Sequence, residues 1–182
     1  VHGNHDRARY LAQISWLDYL CERDLLCLLA PDFQESGVAL VPWDAGAQQG
    51  AYLDVGHVRF VGVPWLGASA PHVLSEVAGV LPDLPASGIT FTVLVTHAGL
   101  EGQMPSMPGG LTFGQIAPLK DAVQYLALGH LHKPYAVDGW IYNPGSLETC
   151  SFDEMKYERG AYLVEVSGAG THQAEHLPNV RR

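Results

Sequence analysis

The sequence lacks the features of a membrane or secreted protein. Its 182 residues contain no apolar run long enough to span a bilayer, and its most apolar stretches, Val58–Val63 and Phe91–Val95, have the length of buried strands. No basic segment followed by an apolar one indicates a signal peptide. We therefore expect one domain that resides in the cytoplasm and makes no contact with a membrane.

Cysteine is scarce. The chain has Cys21, Cys27 and Cys150, an odd number with no C-x-x-C pair among them. This argues against a disulfide framework and against a structural zinc site of the thiolate type. Three ordinary thiols in a reducing compartment are the simpler interpretation.

Positive charge is also scarce. Ten Lys and Arg residues stand against 19 Asp and Glu residues, which gives a formal net charge of −9. Such a balance does not favour a protein that coats nucleic acid non-specifically. The basic residues are scattered along the chain, so the sequence predicts no strong basic patch. Its 47% of hydrophobic residues is enough for a substantial core.

Hydrophobic periodicity predicts the order of the elements. Residues 8–29 repeat apolar positions at steps of three and four, which indicates a helix. The other predicted elements are a short strand at Val38–Val41, a hairpin turning at Gly56-His57, a helix at Ala70–Val80, buried strands at Phe91–Thr96 and Tyr125–Leu128, a hairpin around Gly139, and strands at Ala161–Val166 and Gln173–Leu177. This order favours an α/β fold, a layered sandwich of two mixed β-sheets flanked by helices.

Three histidine motifs carry the chemistry of the sequence. They are Gly3-Asn4-His5-Asp6, then Thr96-His97-Ala98-Gly99, then Gly129-His130-Leu131-His132, and the last two directly follow buried strands. Ligands of α/β folds gather beyond the carboxyl ends of strands. Each motif is weak alone, but the three in this order indicate a metal site. Imidazole nitrogens and amide oxygens suit Mn, Fe and Zn, and the motifs contain no thiolate.

The three motifs in this order resemble the calcineurin-like metallophosphoesterase superfamily. Finer signs, His132-Lys133-Pro134, Tyr142–Glu148 and Ser151-Phe152-Asp153-Glu154, look like the SbcD-type DNA repair nucleases within it. The superfamily's earlier motifs, D-x-H and G-D-x-x-D, do not precede the first motif here, and the chain begins at Val1. We therefore expect residues 1–182 to be a partial nuclease domain, incomplete at the N-terminus and without the capping domain of the family.

The resemblance implies roles for individual residues. Asn4, His97 and His130 would bind one metal, and His132 would bind a second together with ligands from the earlier motifs. It implies two divalent ions, with Mn²⁺ expected and Fe, Zn or Mg as alternatives. His5 would serve as a general acid or a contact to the transition state. Asp6 would orient His5, or cap a helix beginning near Ala8, and the sequence leaves both roles open.

The activity implied by the resemblance is metal-dependent hydrolysis of DNA phosphodiesters, by an exonuclease or endonuclease subunit of a double-strand-break repair complex. The implied partners are DNA and an SMC-like ATPase, and the resemblance also allows a homodimer. The fragment itself is expected to be inactive. Two alternatives remain open: a phosphatase or phosphodiesterase of the same superfamily with a small substrate, and a non-catalytic scaffold.

Overall fold

The structure is a computed structural model that describes residues 1–6, 15–103 and 110–179. The helices are α1 (Trp16–Glu22), α2 (Ala70–Val80) and α3 (Phe113–Ile116). The strands are β1 (Asp32–Gln34), β2 (Gly37–Ala39), β3 (Tyr52–Val55), β4 (Val58–Val63), β5 (Phe91–Thr96), β6 (Tyr125–Leu128), β7 (Tyr135–Val137), β8 (Ile141–Asn143), β9 (Gly160–Val166) and β10 (His172–Pro178). None of the helices in these ranges is both long and apolar enough to cross a bilayer.

A six-stranded mixed sheet in the order β3-β4-β5-β6-β8-β7 forms the centre of the fold. Strands β4, β5, β6 and β8 run parallel, while β3 and β7 pair antiparallel at the two edges. The edge strands arise from the two hairpins that the sequence predicts. Gly56 turns the first at a φ of 61°, and Asp138 and Gly139 turn the second at 56° and 60°. These are left-handed conformations that suit tight hairpin turns.

The two faces of the sheet are covered by different layers. The helix α2 packs on one face, against a core that includes Val61, Leu94, Leu126 and Ile141. The β9–β10 hairpin packs on the other face, over side chains that alternate with those of the first, Phe91, Val93, Tyr125 and Tyr142. This alternation is what strands buried on both faces require.

The predicted fold class is confirmed as a mixed α/β arrangement with sheet and helix layers. The second sheet differs in one respect from the prediction, because β9 and β10 pair antiparallel as a simple hairpin. A short turn at residues 167–171 joins them, and a connection of this length permits only antiparallel pairing.

The predicted helix over residues 8–29 is shorter than the periodicity suggests. Residues 8–14 lie outside the described residues, and α1 ends at Glu22. Asp24 takes a φ of 57°, and the backbone N–H groups of Asp24 and Leu25 bond back to Cys21 and Leu20. This pattern closes a helix C-terminus, so the apolar residues that follow Leu25 are not helical.

The parallel strands bring the chemical motifs to one edge of the sheet. The residue after β5 is His97, and His130 lies two residues beyond β6, its neighbour. The N-terminal segment reaches the same edge, because the Trp65 N–H, two residues beyond β4, donates to the His2 carbonyl at 2.8 Å. The three motifs therefore meet beyond the carboxyl ends of three adjacent parallel strands.

Candidate metal centre

The first motif forms a closed turn. The Asp6 N–H bonds to the Gly3 carbonyl at 3.3 Å, and the Gly3 N–H donates to Asp6 Oδ2 at 2.8 Å. These reciprocal bonds close the turn over Asn4 and His5. His2 anchors the turn to α1, since its Nε2 lies 3.0 Å from Ser15 Oγ, the N-cap of that helix. The segment that supplies Asn4 is thus tied to the body of the domain.

The ring of His97 occupies a slot between two glycines. A Cβ placed on Gly3 would lie 2.9 Å from His97 Cε1, and a Cβ on Gly129 would lie 3.0 Å from His97 Nδ1. Any larger residue at either position would press on the ring. The glycines of the first and third motifs therefore leave space for the histidine of the second.

Asn4, His97 and His130 converge through their polar atoms. Asn4 Oδ1 lies 2.9 Å from His97 Nε2, and His130 Nδ1 lies 3.3 Å from the same nitrogen. An ion about 2.1 Å from each of two ligand atoms sets those atoms about 3.0 Å apart in octahedral geometry and about 3.4 Å apart in tetrahedral geometry. The separations fall around these values, and the donors are one amide oxygen and two imidazole nitrogens. The three residues fit a divalent transition metal.

His97 and His130 are in the protonation state that a metal ligand requires. Burial, followed by the neighbouring His130, lowers the pKa of His97 to about 4. Burial, followed by the nearby His132 and His5, also lowers the pKa of His130. Both rings are therefore neutral near pH 7, and a neutral imidazole is the form that ligates a metal.

The backbone of His130 explains how the third motif turns. Its φ of 87° lies in the left-handed region, which a residue with a side chain seldom adopts. In an extended H-x-H segment the two histidines would point to opposite sides. The left-handed residue breaks that alternation, and strain of this kind is frequent at functional sites.

His132 lies on a loop that is supported by Asn143 and Gly145. The side chain of Asn143, fully buried at the end of β8, donates to the carbonyls of Leu131 and Lys133, both at 2.8 Å. Gly145 takes a φ of 78°, and a Cβ there would lie 2.7 Å from the His132 carbonyl. The end of β8 and the Pro-Gly-Ser stretch after it thus pack directly against the loop that carries His132.

The Nδ1 atom of His132 lies 2.8 Å from Glu154 Oε1. The same carboxylate accepts the backbone N–H of Cys150 at 3.0 Å on its other oxygen. These hydrogen bonds, from Cys150 first and from His132 next, lower the pKa of Glu154. Glu154 is consequently ionised at neutral pH, and His132 faces a negative charge.

The roles predicted for His5 and Asp6 stay predictions. His5 is exposed and lies near enough to His97 and His130 to lower the pKa of both rings. Asp6 binds the Gly3 backbone and acts in the opposite sense on the pKa of His97. The helix that Asp6 would cap, near Ala8, lies outside the described residues.

A cleft of about 280 Å³ adjoins the candidate ligands. His97 and His130 form part of its wall, and Trp65, Leu111 and Gln115 are among the other lining residues. The cleft therefore offers a reacting group access to the edge where the motifs meet.

A scan of the sequence against protein-family models finds no match, and a search of curated proteins finds none either. Among solved structures, the chain is similar to a "putative 5'-nucleotidase" from Staphylococcus aureus, crystallised in complex with alpha-ketoglutarate. The TM-score is 0.44 and the identity 17%, over 72% of this chain and 29% of that chain. A likeness of this degree does not assign the chain to a family.

Two residues of the site region have roles that sequence patterns do not reveal. Glu154 and Arg159 reach His132 across 22 and 27 residues of sequence. The Ser-Phe-Asp-Glu stretch supports the family resemblance, but nothing in its local pattern connects Glu154 to a histidine. These residues meet because the chain returns to the His132 loop after residue 150.

Proposed function

We propose that this chain carries one metal site, and one ligand of a second, in a two-metal phosphodiesterase that acts on DNA. The observation that supports the proposal is the convergence of Asn4, His97 and His130, with polar atoms 2.9 and 3.3 Å apart. His132, on the same loop as His130, would be the ligand of the second ion. The remaining ligands would come from D-x-H and G-D-x-x-D motifs outside this sequence.

The chain's own residues would bind and orient the reacting groups. Divalent ions, when bound, supply Lewis-acid polarisation of the phosphate and activation of the attacking water. Asn4, His97 and His130 would hold one of these ions at the mouth of the cleft. His5, exposed beside them, would donate a proton to the leaving sugar oxygen or a hydrogen bond to the phosphate oxygens.

The DNA substrate rests on the resemblance of Tyr142–Glu148 and Ser151–Glu154 to the SbcD-type nucleases. The net charge of −9 favours the second candidate, a phosphodiesterase with a small substrate, because DNA binding draws on phosphate contacts from Lys and Arg. Both observations are compatible if a capping domain and an SMC-like ATPase supply most of the affinity for DNA. The core would then supply the chemistry.

The experiment compares substrates for the protein in which both earlier motifs are present. We expect Mn²⁺-dependent cleavage of end-labelled duplex DNA, with DNA binding that weakens steeply as salt rises, since phosphate contacts release counterions. The His97→Gln variant of the same protein should lose cleavage. Rapid hydrolysis of small phosphodiesters with DNA left intact, even when the ATPase partner is added, would contradict the nuclease and favour the second candidate.

A further inference from the structure

The hydrogen bond between His132 and Glu154 defines which ring nitrogen of His132 carries the proton. The Oε2 atom of Glu154 accepts the Cys150 N–H and lies 3.5 Å from the Arg159 guanidinium, surroundings that favour a carboxylate, which only accepts hydrogen bonds. The Nδ1 atom of His132, 2.8 Å from Glu154 Oε1, must therefore be the donor. In the neutral ring this leaves Nε2 with a free lone pair, on the side of the imidazole away from the carboxylate.

A mostly enclosed arginine, Arg159, links the two partners. The guanidinium of Arg159 donates to the His132 carbonyl at 3.2 Å and to the Glu154 carbonyl at 2.6 Å. It also donates to Ser146 Oγ and lies 3.5 Å from Glu154 Oε2. With only 12% of its side chain exposed, Arg159 joins the backbone of the His132 loop to the backbone of the segment that carries Glu154.

We propose that Glu154 is a positioning residue, which fixes His132 as the Nδ1–H tautomer and so presents Nε2 to a divalent cation. The inference rests on the proposed function, because Nε2 has a ligand to receive only if a metal binds at this edge. Histidines that ligate metals commonly donate their second N–H to a carboxylate, which sets the tautomer and the ring orientation. Glu154 does the same for His132 from a segment 22 residues away.

The charges around Glu154 disfavour a metal ion bound directly among His132, Cys150 and Glu154. His132, Cys150 and Glu154 place potential ligand atoms within 4.8 Å of one another, which is compatible with a metal bound among the three. However, Glu154 already accepts hydrogen bonds on both oxygens, and the Arg159 cation lies beside Oε2. A second cation at this point would meet repulsion and would have to displace both hydrogen bonds.

The test reads the His132 tautomer directly in the metal-free chain. Long-range ¹H–¹⁵N spectra with labelled histidine, recorded above the titration range of imidazole, should show His132 protonated at Nδ1. The Glu154→Ala variant should lose this preference, whereas Glu154→Gln should retain it because the amide oxygen still accepts. Asp153→Ala, a change to the neighbouring exposed carboxylate, is the matched control and should leave the spectrum unchanged.

The possible outcomes distinguish an effect on the His132 tautomer from an effect on folding and from an effect on metal binding. The indole N–H of Trp140, which donates to the Val123 carbonyl at 2.7 Å, reports that each variant is folded. A His132 ring protonated at Nε2 in the parent, or unaffected by Glu154→Ala, overturns the proposal. Loss of Zn²⁺ binding in Cys150→Ser would also overturn it, since the three-residue cluster would then be the metal site. A Glu154-dependent tautomer, together with no metal-dependent cleavage by the protein in which both earlier motifs are present, upholds the positioning contact and refutes the proposed function.

Discussion

At the scale of single residues, the ring of His97 is the centre of the candidate site. It follows β5 directly, contacts Asn4 and His130 through one nitrogen, and is enclosed by Gly3 and Gly129. Gly3 and Gly129 contribute to the site through the space that they leave for the ring, not through a group that binds a metal. They define the space in which the ring must lie for three ligand atoms to converge.

Replacing Gly129 with Ala should weaken metal binding without removing a ligand. The added Cβ would lie 3.0 Å from His97 Nδ1, so the ring must shift by a few tenths of an ångström. We expect metal affinity to fall by about tenfold, as for the loss of other groups that hold a ligand in place. Isothermal titration with Mn²⁺ measures this change.

Gly79→Ala is the matched control for that substitution. Gly79 is exposed on α2, and a Cβ there would meet nothing within 4 Å. Metal affinity should be unchanged, while the free energy of unfolding should rise by about 0.5–1 kcal/mol because Ala is the better helix former. If both alanines weaken metal binding equally, the slot around His97 does not explain the effect.

At the scale of elements, the regular parts of the fold follow from local pattern. Helix α2 and strands β5 and β6 have the boundaries that the sequence predicts, because their apolar patterns are distinct and Pro or Gly residues lie close to several of their ends. The end of α1 does not, because the left-handed residue that closes it is Asp24 rather than a glycine. The side-chain contacts of Glu154 and Asn143 join the His132 loop to residues 10 to 22 positions away, and no local pattern encodes them.

The loop that carries His132 should depend on Asn143 for its stability. Replacing Asn143 with Ala removes two hydrogen bonds of 2.8 Å and leaves the carbonyls of Leu131 and Lys133 without their donor. We expect a loss of about 2–3 kcal/mol in the free energy of unfolding, since the Asn143 side chain is fully buried and both hydrogen bonds are partly shielded from water. Urea denaturation measures the loss.

Asn179 offers a control of the same residue type. Its side chain donates to the Leu147 carbonyl at 3.2 Å from an exposed position. The Asn179→Ala change should alter the free energy of unfolding by no more than about 0.5 kcal/mol. Equal effects at the two positions would show that burial beneath the His132 loop is not what makes Asn143 important.

At the scale of the whole molecule, histidines with lowered pKa values make the stability of the fold depend on pH. Burial lowers the pKa of His97, His130 and His172 in the folded chain. In the unfolded chain these groups take up protons near the ordinary value of 6.5, whereas His97 in the folded chain does so only at about 4. The unfolded state therefore binds more protons between these two values, and stability falls on acidification through this window.

The measurement is urea unfolding of the metal-free chain across that range of pH. The free energy of unfolding should decrease steadily from pH 6.5 towards about 4, and His97→Gln should flatten part of the slope. A stability that does not vary with pH in this window would contradict the burial of the His97 ring.

The most direct test of the central claim is a calorimetric titration of this chain with Mn²⁺. The account predicts at most one well-bound ion, because three ligands converge on one position and His132 is the only residue of the three motifs assigned to the second. Binding should be lost in His97→Gln and retained in His5→Gln, since His5 is assigned to the phosphate rather than to the metal. Two tight sites, or binding that survives His97→Gln, would contradict the account.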